Sequence, residues 1–156
     1  MNTQQIKINT AIGWLSVQYH EQGIFDISLN AKAGRDAKAP DALGEKIQQQ
    51  ITAYFTQGKN DFDLPLQLAG TAFQQKVWAS LRRIRPGQVV SYGELAKKLH
   101  TSPRAVGNAC RANPVPLIVP CHRVVAANAL GGFAGKTAGR MTNIKKWLLD
   151  HEGVQL

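Results

Sequence analysis

A cysteine, a histidine and an arginine follow one another at Cys121, His122 and Arg123, within the stretch Val119-Pro120-Cys121-His122-Arg123-Val124-Val125. The thiolate is the reactive form of cysteine, and a nearby imidazolium or guanidinium lowers the pKa of a thiol. Proline restricts its own φ and favours extended backbone in the residue before it. The stretch therefore predicts a strand-like segment that aims a thiol. Two interpretations stay open on these residues alone, a nucleophile and a buried core thiol, since free cysteines are often buried.

Two short helices joined by a tight turn are predicted just before the cysteine. Ser91 and Glu94 have the spacing of a capping box. Ser102 followed by Pro103 marks the start of a second helix. Such a pair is a helix-turn-helix, although an ordinary helical hairpin in a core has the same pattern. DNA binding is favoured because the second helix carries small residues and an arginine near each end, namely Ala105, Gly107, Ala109, Arg104 and Arg111.

The charge is unevenly distributed along the chain. Residues 1–70 hold 6 Lys+Arg and 7 Asp+Glu, a net of −1, whereas residues 71–156 hold 13 and 3, a net of +10. A basic half is the electrostatic footprint of a polyanion binder, although a solvated surface can also be basic. Two cysteines are too few for a disulfide framework or a structural zinc site. No signal peptide or membrane-length apolar run is recognised, so we expect a cytoplasmic protein that binds neither a membrane nor a metal.

The expected fold class is α+β (α/β), with a domain boundary at residue 70 where the composition changes. Residues 1–69 are expected to form a small domain of β-sheet plus helix. Residues 70–156 are expected to form a mostly helical domain that contains the helix-turn-helix. Within it a helix is predicted over residues 71–84. The last helix, over residues 142–151, is expected to bury Ile144, Trp147 and Leu148 and to expose Lys145 and Lys146.

Four motifs, in their order and spacing, resemble the O6-alkylguanine-DNA alkyltransferases, also called methylated-DNA–protein-cysteine methyltransferases. The resemblance covers residues 70–153 and rests on Arg104-Ala105-Val106-Gly107 with Ala109, Asn113-Pro114, Pro120-Cys121-His122-Arg123-Val124, and Lys146-Trp147-Leu148-Leu149 with His151-Glu152-Gly153. It implies DNA repair by direct damage reversal. In that reaction an alkyl group moves from O6-alkylguanine to the protein's own cysteine and stays there, so each molecule reacts once. Whether O4-alkylthymine is a second substrate is left open.

The resemblance implies roles for four residues at the reacting centre. Cys121 would be the alkyl acceptor, and His122 would deprotonate it through a bound water. Glu152 would orient His122. Asn113 would be the hinge between the helix-turn-helix and the active-site strand. No cofactor is implied.

The resemblance also implies how DNA is held. The helix over residues 103–111 would lie in the minor groove of double-stranded DNA, with the damaged nucleotide flipped out and the protein acting as a monomer. Tyr92 would donate to guanine N3, and Arg111 would fill the gap left in the duplex. Further DNA or base contacts would come from Arg104, Ala105, Gly107, Ala109, Arg123 and Ala134, the last through its backbone N–H. The loop over residues 132–141 is several residues longer than is usual in the family.

Two other functions stay open. A lesion-binding module without chemistry would have no need of Cys121, His122 and Glu152 together. A Cys-His-Glu hydrolase acting on an amide or ester would leave the basic half and the helix-turn-helix unexplained. The three functions differ in the fate of the thiol, which would be permanently alkylated, unmodified or transiently acylated.

Overall fold

The computed structural model describes residues 2–35, 38–59, 61–126 and 140–154, without the side chains of Arg140 and Met141. Contacts between Cα atoms divide the chain into two compact units, Met1–Ala69 and Gly70–Leu156. The expected α+β class is confirmed, because an antiparallel sheet and one helix form the first unit and mainly helices form the second. In the described ranges, no helix is both long enough and apolar enough to cross a membrane.

The first unit is a three-stranded antiparallel sheet with one helix. Its strands are β1 (Gln4–Thr10), β2 (Gly13–His20) and β3 (Gly23–Ser28), in the order β1-β2-β3. The helix α1 (Ala42–Gln57) is capped by Asp41, whose carboxylate accepts from the backbone N–H of Gly44 at 2.7 Å. A core forms because alternate strand residues and a helical stripe are apolar and buried, namely Ile6, Ile8, Leu15, Val17, Ile47, Ile51 and Tyr54.

The second unit begins with α2 (Ala72–Leu81), followed by β4 (Val90–Ser91), α3 (Tyr92–Lys98) and α4 (Pro103–Arg111). A 3-10 turn (Cys121–Arg123), β5 (Val124–Val125) and α5 (Arg140–His151) complete it, and β5 pairs in parallel with β4. The helix α2 ends three residues earlier than predicted. The N–H of Ile84 bonds to the carbonyl of Leu81 at 3.0 Å, so the chain tightens into i→i+3 turns there.

The helix-turn-helix has the predicted caps. Ser91 Oγ accepts from the N–H of Glu94 at 3.0 Å, and Glu94 Oε1 accepts from the N–H of Ser91 at 3.1 Å, which closes the capping box. Ser102 caps α4 through the N–H of Ala105 at 3.1 Å, with Pro103 in the first turn. These bonds satisfy N–H groups that have no partner inside the helix, so the start of each helix is fixed.

The segment that leads to the cysteine is a turn, and the prediction of a strand there was wrong. The N–H of Val119 bonds to the carbonyl of Val115 at 3.0 Å, and Leu117 has a φ of 79°. Asn113 closes this loop from both sides. Its Nδ2 donates to the carbonyl of Val119 at 2.8 Å, and its Oδ1 accepts from the N–H of Val115 at 3.0 Å. The prolines stiffen the loop, but the asparagine determines its shape.

Candidate active site

The three consecutive residues of the central motif lie in the 3-10 turn that precedes β5 and are all buried. Cys121 is 6% exposed, His122 0% and Arg123 5%. A 3-10 turn has three residues per turn, so successive side chains point about 120° apart. The thiol, the imidazole and the guanidinium therefore leave the backbone in different directions, which explains why they meet different partners.

Glu152, at the end of α5, joins His122 to Arg123. Its Oε2 lies 2.8 Å from His122 Nε2, and Arg123 donates to Oε1 from Nε and to Oε2 from Nη2, both at 2.9 Å. Burial alone would raise the pKa of Glu152, but the hydrogen bonds from His122 and Arg123 lower it to about 2. The carboxylate is thus ionised and has contacts on both oxygens.

The second ring nitrogen of His122 is available for a proton. Nδ1 is buried and has no hydrogen-bond partner among the residues that the structure describes. Burial lowers the pKa of His122 despite the opposing effect of Glu152, so the ring is neutral at pH 7. Because an ionised carboxylate can only accept, the hydrogen lies on Nε2 and the lone pair on Nδ1. This is the tautomer that a general base needs.

The environment of Cys121 differs from the sequence-based expectation. Burial raises the pKa of the thiol, and three groups oppose this by favouring the thiolate: the side chain of Asn113, the ammonium of Lys145 and a backbone N–H. The expectation that Arg123 lowers this pKa was wrong. The guanidinium turns away from the thiol, because its donors are bonded to Glu152 and to the carbonyl of Ile84.

Lys145 is the residue that sequence reasoning missed. It was expected to be exposed, but it is 0% exposed, and its Nζ donates to the carbonyl of Val124 at 2.7 Å. Burial lowers its pKa to about 8, although the thiols of Cys121 and Cys110 favour the charged form. The signal was present in the sequence, because Lys145 precedes the apolar Leu148 and Leu149 at helical spacings of three and four. Lys146 is exposed, as expected.

Tyr92, the first residue of α3, lies near Lys145 and the two thiols. The Nζ of Lys145 is 5.8 Å from the centroid of its ring. Burial raises the pKa of the phenol to about 12, with further contributions from the thiols of Cys110 and Cys121. A Cβ placed on Gly107 would lie 3.9 Å from Tyr92 Cε1, so the ring also borders α4. The hydroxyl therefore remains protonated at pH 7 and can donate a proton or a hydrogen bond.

The helix α4 presents a surface smaller than the one predicted. Arg104 and Arg111 are exposed, and Ala105 and Gly107 are partly exposed. Ala109 is 2% exposed, and its carbonyl accepts from Trp78 Nε1 at 2.9 Å, so the prediction that it belongs to the contact surface was wrong.

Arg123 and Ala134 were also predicted to contact DNA or the flipped base. Arg123 is buried in its pair with Glu152, so its assignment as a DNA contact was also wrong. Ala134 lies outside the residues that the structure describes. Over the described ranges, no group of three or more His, Cys, Asp or Glu side chains could hold a metal ion.

Comparison with known proteins gives a consistent result. Residues 72–154 match the family model described as 6-O-methylguanine DNA methyltransferase, DNA binding domain. A methylated-DNA--protein-cysteine methyltransferase of Metallosphaera sedula is 41% identical over 106 residues, which are 67% of this chain and 65% of that protein. One of Sulfolobus acidocaldarius is 36% identical over 148 residues, which are 95% of this chain and 92% of that protein.

Solved structures agree with these relatives. The O6-methylguanine methyltransferase of Mycobacterium tuberculosis has a TM-score of 0.80 at 34% identity, covering 97% of this chain and 93% of that one. The OGT of the same organism in complex with DNA has a TM-score of 0.78 at 36% identity, covering 94% of this chain and 90% of that one.

Proposed function

Because the chain belongs to the O6-methylguanine-DNA methyltransferase family, we propose that it repairs O6-alkylguanine in duplex DNA by moving the alkyl group irreversibly to its own Cys121. The observation that carries this proposal is that a buried thiol and a neutral His122 are consecutive residues of one 3-10 turn. Glu152 holds Nε2 of that histidine, and Nδ1 is left with a lone pair. This is the arrangement by which a general base activates a nucleophile.

The reaction needs a proton to leave the thiol and another to reach the guanine. His122 Nδ1 takes the proton of Cys121, directly or through a water. The thiolate then attacks the O6-alkyl carbon, the carbon–oxygen bond breaks and its electron pair moves into the purine ring. The hydroxyl of Tyr92 gives its proton to N3, so guanine leaves as a neutral base, and the proton held on His122 returns through solvent to the Tyr92 phenolate. The product thioether has no group that water displaces readily, so each molecule reacts once.

The damaged base must leave the helix before it can react, at a cost of about a few kcal/mol. We propose that α4 enters the minor groove with Ala105 and Gly107 against the DNA, because small side chains allow close approach. Contacts from basic residues to phosphates offset the cost of flipping without reading the sequence. The two cysteines are free, which suits a reducing cytoplasm, and we propose that the protein acts there as a monomer.

The test of this function is a mass measurement. The protein is incubated with a duplex that carries one O6-methylguanine, and the intact mass and the peptide masses are then determined. We expect a gain of one methyl group on the peptide that contains Cys121, stopping at one per molecule. Binding without any gain would instead support the lesion-binding function, and turnover with only a transient adduct would support the hydrolase.

An arginine of α4 is proposed to fill the gap that the flipped nucleotide leaves, and Arg111 is the first candidate. We expect Arg111→Ala to slow repair in duplex DNA by about 10-fold or more, since insertion into the groove offsets unstacking. Reaction with free O6-benzylguanine, which needs no flipping, should be unchanged. Rate constants on both substrates check this.

Arg104→Ala is the matched variant, because Arg104 is also exposed and lies seven residues earlier on the same helix face. Removal of a residue that only contacts phosphate should weaken DNA binding and reduce its salt dependence. The rate of alkyl transfer at saturating DNA should stay the same. Equal losses on the duplex and on the free base would refute the role of Arg111. A selective loss in Arg104→Ala alone would transfer that role to Arg104.

A further inference from the structure

Arg123 connects three segments of the second unit through its guanidinium. Nη1 donates to the carbonyl of Ile84 at 2.6 Å, in the turn after α2. Nε and Nη2 donate to the two oxygens of Glu152 at 2.9 Å, at the end of α5. Its own backbone lies in the turn that carries Cys121 and His122. A planar fork of donors matches a carboxylate in two parallel bonds, a geometry that lysine cannot reproduce.

The same carboxylate also contacts the proposed general base. Glu152 Oε2 accepts from His122 Nε2 and from Arg123 Nη2, while Oε1 accepts from Arg123 Nε. The pair is shielded from solvent, because the side chain of Glu152 is 0% exposed and that of Arg123 is 6% exposed. A buried carboxylate with one partner removed can rotate or take up a proton, and in either case it ceases to hold the histidine in one orientation.

We propose that Arg123 is a positioning residue for alkyl transfer, which acts through the Glu152 carboxylate to keep His122 Nδ1 directed as the proton acceptor for Cys121. The inference rests on the proposed function, because it concerns the same reaction. It assigns Arg123 to the reacting centre and not to the DNA surface. It also explains why this arginine is buried although residues 71–156 carry a net charge of +10 and could be expected to present their cations to DNA.

The test uses the full chain and free O6-benzylguanine, so that binding and flipping of DNA play no part. In Arg123→Lys we expect the second-order rate constant at pH 7.5 to fall about 10- to 100-fold, as is typical when a buried partner of a reacting group is removed. The pH at which the rate reaches half its maximum should rise, because the thiol loses its oriented base. The final stoichiometry should remain one benzyl group per folded molecule, and affinity for an unmodified duplex should be unchanged.

A purely structural role gives a different set of results. The variant would have a lower melting temperature and a smaller fraction of reactive molecules, but the reactive molecules would show the wild-type rate constant and pH profile. That outcome would overturn the inference. Failure of the proposed function would look different from failure of this inference, because the wild-type protein would then accept no benzyl group at all.

A double-mutant cycle tests the route through Glu152. If Arg123 acts through that carboxylate, Arg123→Lys should add little to the loss already caused by Glu152→Gln, because residues that act as a unit are not additive. Losses that multiply would show that the two residues act independently and would overturn the inference. Lys146→Met, which changes an exposed cation on α5, is the control for a general loss of positive charge.

Discussion

We expect Cys121→Ala to abolish alkyl transfer from DNA and from free O6-benzylguanine, and to leave the affinity for duplex DNA unchanged. The physical reason is that the thiol supplies the new bond, so no other group can replace it in the proposed reaction. DNA binding should persist because the thiol is 6% exposed and lies in the 3-10 turn, whereas the proposed DNA contacts come from α4. Intact mass after prolonged incubation and fluorescence anisotropy with labelled duplex measure the two quantities.

The chain offers its own control in Cys110→Ala. Cys110 lies on α4 and is partly buried, and burial raises the pKa of its thiol to about 12, with the neighbouring Cys121 as a smaller cause. Since the thiolate is the nucleophile, we expect Cys110 to react little at neutral pH, and its removal should leave one alkyl group per molecule. Residual transfer in Cys121→Ala that disappears in the double variant would assign the acceptor to Cys110 and contradict the proposed mechanism.

The parts of the fold that follow from local rules were predicted correctly from the sequence. The caps at Ser91 and Ser102 were found as predicted, because an N-cap depends on only three or four adjacent residues. The strands of the first unit were also found, because their apolar alternation is local. The end of α2 and the turn before Cys121 were not predicted, since tertiary contacts determine them. In the second case the two hydrogen bonds of Asn113 determine the backbone.

Side-chain direction was the main limit in predicting the site. Consecutive residues Cys121, His122 and Arg123 suggested one shared environment, but the 3-10 turn directs them to different partners. Glu152 is 29 residues from Arg123 in sequence, and no local pattern indicates their pairing. The resemblance to the family supplied the link between His122 and Glu152, and the structure places those two side chains in contact. Neither source indicated that the cation close to the thiol is Lys145.

We expect the second largest effect on the rate when the ammonium of Lys145 is removed. In Lys145→Met, transfer to free O6-benzylguanine at pH 7.5 should be about 10- to 100-fold slower, because a nearby opposite charge typically changes a pKa by about 1–3 units. Burial raises the pKa of Cys121, and the ammonium of Lys145 is one of the groups that oppose this. The variant should recover part of the lost rate at higher pH, where more thiolate forms. Lys146→Met is the matched control, because Lys146 is exposed. Equal rates of alkyl transfer in the two variants would exclude a role for Lys145.

Lys145 should also affect how the free energy of unfolding depends on pH. Burial lowers the pKa of Lys145 from 10.5 to about 8 in the folded protein, so between those values the unfolded chain binds a proton that the native protein does not. The free energy of unfolding of the wild type, relative to Lys145→Met, should therefore rise as the pH increases from about 8 to 10.5 and remain level below pH 7. Urea denaturation of both proteins across this range measures the difference, in which the titration of groups remote from Lys145 cancels. A difference that is flat with pH would mean that Lys145 carries the same charge in both states, and it would contradict the lowered pKa of Lys145 in the folded protein.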